Sequence, residues 1–240
     1  MYTQKIEHKF WLAPPRTPDT RFAIVGNPRT GSSHLASLLD SHPDIACWDD
    51  EPFLAGEVFD RSEYEAPAAF LTGLVFRVNA QAVGFKLLWD AMIRLSDPWQ
   101  LFRDLDVVLL HVWRRNRLDA LISLELATAN QAFTSYRGDY ERATIEIDYA
   151  RCEKWFILSE QRDNLIRQGA REHSIRRLEI EYQELCRGQT TVLDFLGVPR
   201  CPLASRLRKQ RSGGQSQAVT NYSDLKRRFA GSRWAAFFEE

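Results

Sequence analysis

The stretch GNPRTGSS, residues 26–33, decides the fold of this chain. It follows the apolar run 22–25 and precedes a segment whose leucines recur at helical intervals, so it predicts a strand, a loop and a helix in that order. Small residues in such a loop let backbone N–H groups turn inward at the start of a helix, and this arrangement favours a phosphate. The stretch therefore predicts a phosphate-binding loop at the end of a strand.

The loop has the spacing of a Walker A sequence, G-x-x-x-x-G-K-[ST], but Ser32 stands where the lysine is expected. That lysine normally reaches the β- and γ-phosphates of a nucleotide. Arg29, three residues earlier, supplies a different cation inside the loop. We therefore expect the loop to bind a phosphate group, but we do not expect it to be the site of ordinary ATP hydrolysis.

Length and composition indicate one α/β domain over residues 1–240, with a polar lead-in at 1–20 and a basic loop at 201–220. The net charge of zero gives no electrostatic case for binding nucleic acid or an anionic membrane. The four cysteines form no CxxC pair, and no apolar run is long enough to span a bilayer. These features predict a cytoplasmic protein without stable membrane insertion.

Strand and helix patterns alternate along the chain. Strands are predicted at 22–26, 45–48, 83–88, 107–113 and 175–180. Helices are predicted at 32–41, 66–78, 118–129, 148–168, 191–196, 223–229 and 232–238, with Gly169 as the end of the longest, and 130–147 is predicted to be a loop or lid. The alternation predicts a P-loop-like three-layer fold, a central parallel sheet flanked by helices, with ligands at the carboxyl ends of the strands.

A second motif follows the most apolar of these strands, 107–113. Arg115 stands at the strand end, and Ser123 lies eight residues later, two turns into the next helix. A guanidinium and a hydroxyl at this spacing can converge on one anion. Arginine at a strand end and serine in a helix are both common, so the motif gains weight from its position after the phosphate-type loop.

In these two motifs the sequence resembles the sulfotransferases that use 3′-phosphoadenosine-5′-phosphosulfate (PAPS). The family's P-K/R-[ST]-G-[ST]-[ST] loop is matched by residues 28–33, and its R-x-x-x-D-x-x-x-S motif by Arg115, Asp119 and Ser123. A third landmark, a tyrosine at a strand end followed by L-G-V, is matched by Tyr182 and residues 196–198. Segments 85–90 and 221–225 are similar to bacterial carbohydrate sulfotransferases, including the trehalose type.

The resemblance implies a sulfuryl transfer from PAPS to a hydroxyl of a carbohydrate or other small metabolite, releasing PAP. It assigns the 5′-phosphosulfate to Arg29, Thr30, Gly31, Ser32, Ser33 and His34, the last through its backbone N–H. Arg115 and Ser123 would bind the 3′-phosphate. Tyr182 would lie near the adenine, although a core tyrosine is nearly as good a reading.

Two positions depart from the family pattern. Gln183 follows the tyrosine where the family has an acidic residue. The basic-glycine motif that closes over the 3′-phosphate is absent as such, and residues 208–210, with Lys209 at their centre, are its nearest counterpart. Lys209 is therefore a hypothesis for a further phosphate contact.

In-line sulfuryl transfer needs donors on the leaving phosphate and a base for the acceptor hydroxyl. Arg29 can supply the first. Lys86, in an apolar strand, could contact the leaving group or the acceptor, or pair with an acid in the core. Glu51, in the acidic segment 49–51, is the predicted base, with a solvated turn as the equal alternative.

Two other functions stay open at this point. A P-loop kinase acting on a small molecule is disfavoured by the missing lysine, and a non-catalytic PAP-binding protein would keep the fold without transfer. No metal is expected, since the loop does not present the complete GK[ST] sequence whose serine or threonine binds Mg²⁺. The acceptor would be recognised by residues 52–80 and 127–150. A homo-oligomer is compatible with the sequence.

Overall fold

Five strands form one parallel sheet in the order β2-β3-β1-β4-β5. The structure is a computed structural model, and it describes residues 17–48, 65–133, 144–185, 187–207, 211 and 213–238. The strands are β1 (Thr20–Gly26), β2 (Ile45–Trp48), β3 (Ala82–Leu88), β4 (Val107–Trp113) and β5 (Arg177–Glu181).

The middle strand, β1, carries the phosphate-type loop at its carboxyl end. Its residues 22–26 are buried, as expected for a strand that has a neighbour on each side and helices on both faces. Gly26 pairs with Leu88 on β3 and with Val112 on β4. The loop therefore leaves the sheet at the same edge where β3 and β4 end.

Helices and helical turns cover both faces of the sheet. They are α1 (Ser32–Asp40), α2 (Pro67–Phe70, continued by a π-helical turn Leu71–Val75), α3 (Trp89–Met92), α4 (Pro98–Asp104), α5 (Arg117–Ala129), α6 (Tyr149–Glu172), α7 (Gln189–Leu196), α8 (Gln215–Ala218) and α9 (Tyr222–Phe229). There are also short 3₁₀ turns at Tyr182–Glu184, directly after β5, and at Ala235–Phe238, after α9.

The core divides by the alternation of side chains along β1. Val25 points into a cluster that it shares with α4 and α6, and Ile24 points into a second cluster with α1 and α7. A third cluster joins α5 and α6 to α9 at the end of the chain. The three-layer fold with a central parallel sheet is thus confirmed.

The connections between strands lead from the middle of the sheet towards its two opposite side strands, β2 and β5. From β1 the chain runs through α1 to β2 on one side, and from β4 it runs through α5 and α6 to β5 on the other. In open parallel sheets a crevice forms where the direction of the connections changes, outside the carboxyl ends of the strands. Here that point lies between β1 and β4, and both predicted motifs begin there.

The predicted end of the longest helix is wrong. Gly169 lies inside α6, which continues to Glu172. A Cβ at this position would lie 2.2 Å from Cε2 of Trp99, so the glycine lets α4 approach α6 closely. Glycine at this position therefore serves helix packing rather than helix termination.

Other boundaries also differ from the prediction. The helix predicted at 66–78 is regular only at Pro67–Phe70 before the π-helical turn, and α8 interrupts the predicted loop 201–220. At the end of the chain the predicted helix 232–238 is reduced to the 3₁₀ turn Ala235–Phe238. Most of the predicted lid, residues 134–143, lies outside the described residues.

Across the described ranges, no helix is both long enough and apolar enough to span a lipid bilayer.

Gly169→Ala tests the contact between α4 and α6. In an open helix this change would stabilise the protein by up to about 1 kcal/mol. Because the new methyl group would overlap Trp99, we expect the free energy of unfolding to fall by about 1–3 kcal/mol in urea denaturation.

Gly73→Ala is the matched control, since a Cβ there meets nothing within 4 Å. Its free energy of unfolding should equal that of the parent or rise by up to about 1 kcal/mol. A Gly169→Ala protein as stable as the parent would contradict the described packing.

Candidate active site

The phosphate-type loop turns sharply between β1 and α1. Arg29 and Gly31 have φ values of 64° and 95°, in the left-handed region, and Gly31 caps α1. The hydroxyl of Thr30 donates to the carbonyl of Asn27 over 2.8 Å and closes the turn. The first N–H groups of α1 have no acceptor within the helix, and together with the helix dipole they favour an anion at this end.

Gly31 also allows the segment after β5 to pack on the loop. A Cβ there would lie 2.7 Å from Cδ2 of Tyr182 and 2.6 Å from Cδ1 of Leu185. The tyrosine landmark and the loop, about 150 positions apart in the sequence, are therefore in contact. Thr30 and Ser32 are buried, whereas Ser33 and His34 are half-buried.

Lys86 lies beside the phosphate-type loop. It is on β3, next to Ile24 of β1 in the sheet register, and only 9% of its surface is exposed. Its Nζ donates to Oγ of Ser33 over 2.9 Å. A buried ammonium group thus faces the first turn of α1, where the loop would bind an anion.

Arg29 joins the two predicted motifs. Its Nε donates to Oγ of Ser123 on α5 over 2.9 Å, and one of its terminal nitrogens contacts the carbonyl of Phe133. Because Ser123 belongs to the second motif, the loop after β1 and the helix after β4 meet at one hydrogen bond. The sequence spacing alone could not predict this contact.

Arg115 and Ser123 have different surroundings. The guanidinium of Arg115 is 74% exposed and donates to Oε2 of Glu181, at the end of β5, over 2.9 Å. Ser123 instead accepts from Arg29. The two side chains belong to the same edge of the sheet, but the structure holds each of them with a different partner.

Asp119, the middle residue of the second motif, gathers three donors. Arg114 lies 3.0 Å from its carboxylate, Arg211 2.7 Å, and the amide of Gln215 3.2 Å. Burial raises the pKa of the Asp119 carboxyl, but Arg114, Gln215 and Arg211 outweigh it and hold that pKa below its usual range. The aspartate therefore stays ionised and ties the basic loop near residue 211 to the second motif.

Arg114 also packs on Tyr182. Its guanidinium carbon lies 4.3 Å from the centroid of the tyrosine ring. The half-buried ring is therefore placed between Arg114 and Gly31. The ring also packs against the core cluster that contains α1 and α7, so both the core role and the adenine contact stay open.

His34 follows the loop directly. Burial lowers the pKa of its imidazole, which keeps the ring neutral near pH 7. A neutral ring adds no charge to the loop, and the role of the His34 backbone N–H stays a prediction.

Two predicted site residues lie outside the described residues: Glu51, the predicted base, and Lys209. The residues that sequence reasoning missed are Arg114 and Arg211, both bound to Asp119, and the buried pair Asn27 and Asp163. Asp163 could have been predicted, because a charged residue at a position that the helical period places on the buried face needs a partner. The same face of α6 holds Trp155, Phe156, Ser159 and Ile166. Arg211 lies in the predicted basic loop 201–220, but nothing in the sequence pointed to its contact with Asp119.

Within the described ranges, His, Cys, Asp and Glu side chains form no group of three or more that could hold a metal ion. The candidate site is instead built from arginine, lysine, hydroxyl and backbone N–H donors. Such a donor set is suited to an anionic ligand.

The chain is similar over nearly its whole length to nodulation protein H from two species of Rhizobium. Nodulation protein H of Rhizobium meliloti (strain 1021) is 28% identical over 247 residues, which cover 92% of this chain and 96% of the relative. Nodulation protein H of Rhizobium tropici is 27% identical over 239 residues, covering 91% and 92%. No protein-family model matches the chain.

Among solved structures, a sulfotransferase from Alicyclobacillus acidocaldarius has the same fold. It superimposes with a TM-score of 0.50 at 18% identity and covers 93% of this chain and 96% of its own. The chain is therefore similar to nodulation protein H over nearly its whole length, and it has the fold of a solved sulfotransferase.

Proposed function

We propose that the sulfonate donor is PAPS and that the enzyme transfers its sulfuryl group to a hydroxyl of a carbohydrate or other small metabolite in the cytoplasm. The observation that carries the proposal is the hydrogen bond between Arg29 and Ser123. It joins a phosphate-type loop to a second group of anion donors at the neighbouring strand end. Two adjacent anion sites suit a nucleotide that is phosphorylated at both its 5′ and 3′ positions.

The 5′-phosphosulfate would bind to the loop. The N–H groups at the start of α1, the hydroxyl of Ser33 and the cations of Arg29 and Lys86 provide the donors. As the S–O bond to the leaving phosphate breaks, negative charge grows on the phosphate oxygens. A buried ammonium group close to that point stabilises the charge more than it stabilises the ground state.

The 3′-phosphate would bind to Arg115 and Ser123, with Lys209 as a further proposed contact. The guanidinium of Arg115 is largely exposed, so it can turn from Glu181 towards a phosphate with little loss of packing. Ser123 can donate its hydroxyl proton to the phosphate while it still accepts from Arg29. The half-buried ring of Tyr182, beside Arg114, is proposed to border the adenine.

Glu51 is proposed as the general base for the acceptor hydroxyl, from its sequence position three residues after the end of β2. We propose that the acceptor is bound by segments 52–80 and 127–150. In the sequence, the first lies between β2 and β3, and the second runs from the end of α5 to the start of α6. No step in this mechanism requires a metal ion.

The choice of nucleotide tests the proposed donor. PAP should raise the melting temperature of the protein, whereas ATP with Mg²⁺ should leave it unchanged within error, because the loop has no Walker lysine. Thermal unfolding at a series of nucleotide concentrations measures both. Stabilisation by ATP with Mg²⁺ and not by PAP would show that the kinase alternative is correct.

Arg115→Ala tests the 3′-phosphate contact. Loss of a charged hydrogen bond to phosphate should weaken PAP binding by about 1.5–3 kcal/mol, roughly 10- to 100-fold in Kd by calorimetry. Arg200→Ala is the matched control, since this exposed arginine pairs with Asp194 near the opposite edge of the sheet. If both variants bind PAP like the parent, Arg115 does not contact the 3′-phosphate.

Lys86→Met tests the proposed role at the leaving group. The change keeps most of the volume but removes the charge, so kcat should fall about 10²- to 10³-fold in a transfer assay with labelled PAPS. Affinity for PAP should change much less. Lys154→Met, at an exposed position of α6, should behave like the parent, and a near-normal kcat for Lys86→Met would exclude a catalytic role.

A further inference from the structure

A buried carboxylate on α6 contacts both halves of the candidate site without belonging to either. Asp163 is buried, and its carboxylate accepts from the Asn27 amide over 2.8 Å and from Nη1 of Arg117 over 2.8 Å. Nε2 of His111, on β4, lies 3.4 Å away. Asn27 is the second residue of the phosphate-type loop, and Arg117 is the first residue of α5.

The contact on the loop side is specific. The amide of Asn27 donates a second hydrogen bond, over 2.9 Å, to the carbonyl of Ser159, one turn before Asp163 on α6. The carbonyl of Asn27 in turn accepts from Thr30. The position of the loop is therefore set by two points on one rigid helix.

The Asn27 side chain also carries a cost. Its Oδ1 is buried and has no hydrogen-bond partner among the described residues. A buried acceptor without a partner lowers the free energy of unfolding and offsets part of what the two donated bonds contribute. We therefore attribute the two donated bonds to the orientation of the loop rather than to the stability of the fold.

The contact on the other side fixes the start of α5. Arg117 binds the second carboxylate oxygen of Asp163, and the carbonyl of Arg117 accepts from the indole of Trp155, two turns earlier on α6. The same first turn follows Arg115, and the helix continues to Ser123. Two contacts with α6 therefore hold the segment that carries the second motif.

The charge state of Asp163 supports this role. Burial raises the pKa of its carboxyl, but contacts with His111 and Arg117 outweigh burial and hold that pKa below its usual range. The aspartate can then accept from both motifs at neutral pH. Glu179, 3.6 Å from Nδ1 of His111, lies on the far side of the imidazole and is bound by Arg167 and Arg177.

We propose that Asp163 is a positioning residue that sets the distance between the two phosphate-binding motifs, so that both can bind one bisphosphorylated nucleotide. The inference rests on the proposed donor, because only a ligand with a group at each end needs both motifs at once. Binding at one end then raises the effective concentration of the other end at its own site. Asp163 itself touches neither phosphate.

The proposal predicts a selective defect for Asp163→Asn. The affinity for PAP should fall about 10- to 100-fold, because the two ends no longer bind together. Affinities for adenosine 5′-phosphate and adenosine 3′-phosphate, which each use one motif, should stay within about twofold of the parent. Calorimetric titration with the three nucleotides gives the ratio of affinities, which a uniform loss of stability would not change.

Asn27→Ala provides a second variant. It leaves the pair between Asp163 and Arg117 intact and removes only the loop contact, so it decides the question even if Asp163→Asn does not fold. The same selective loss for PAP is expected. Glu179→Gln is the matched control, a neighbouring carboxylate bound to His111 and two arginines but to neither motif, and its three affinities should match the parent within about twofold.

The outcomes separate the two proposals. A parent protein that does not bind PAP contradicts the proposed donor. A parent that binds PAP, together with variants that bind it equally well or that lose all three nucleotides to the same extent, overturns the positioning role of Asp163 alone.

Discussion

The close pairing of β1 with β4 is the constraint on which the site depends. Gly26, the last residue of β1, lies opposite Val112, and a Cβ there would be 2.2 Å from the carbonyl oxygen of Val112. Only glycine permits this approach at the point where the chain leaves the sheet. Because the two strands end side by side, the loop after β1 and the turn after β4 open into the same crevice.

Charge in this crevice falls into two groups. The first group is the cations Arg29, Lys86 and Arg115, which can reach an anion at the carboxyl edge of the sheet. The second group is the carboxylates of Asp119 and Asp163, which accept from the largely buried guanidinium groups of Arg114 and Arg117. These carboxylates let the fold bury arginines beside an anion site, and they hold the backbone segments on which the cations of the first group lie.

Much of the fold could be predicted because each strand and most helices have a clear hydrophobic pattern. The prediction failed at positions such as Gly169, where local sequence is typical of a helix end but the glycine instead accommodates Trp99. The contacts in the site were harder to predict for a similar reason. Arg211 binds Asp119 across 92 residues of sequence, and Asp163 binds Asn27 across 136, so neither pair has a local signature.

The sequence by itself determined the class of site: a small-residue loop after a buried strand, an arginine and a serine two helical turns apart, and a tyrosine after the last strand. These are local features, and local chain geometry is sufficient to interpret them. Only the tertiary structure decided which side chains meet. It directed Lys86 to Ser33, Arg29 to Ser123 and Arg115 to Glu181, because those distances follow from strand order and helix packing rather than from spacing along the chain.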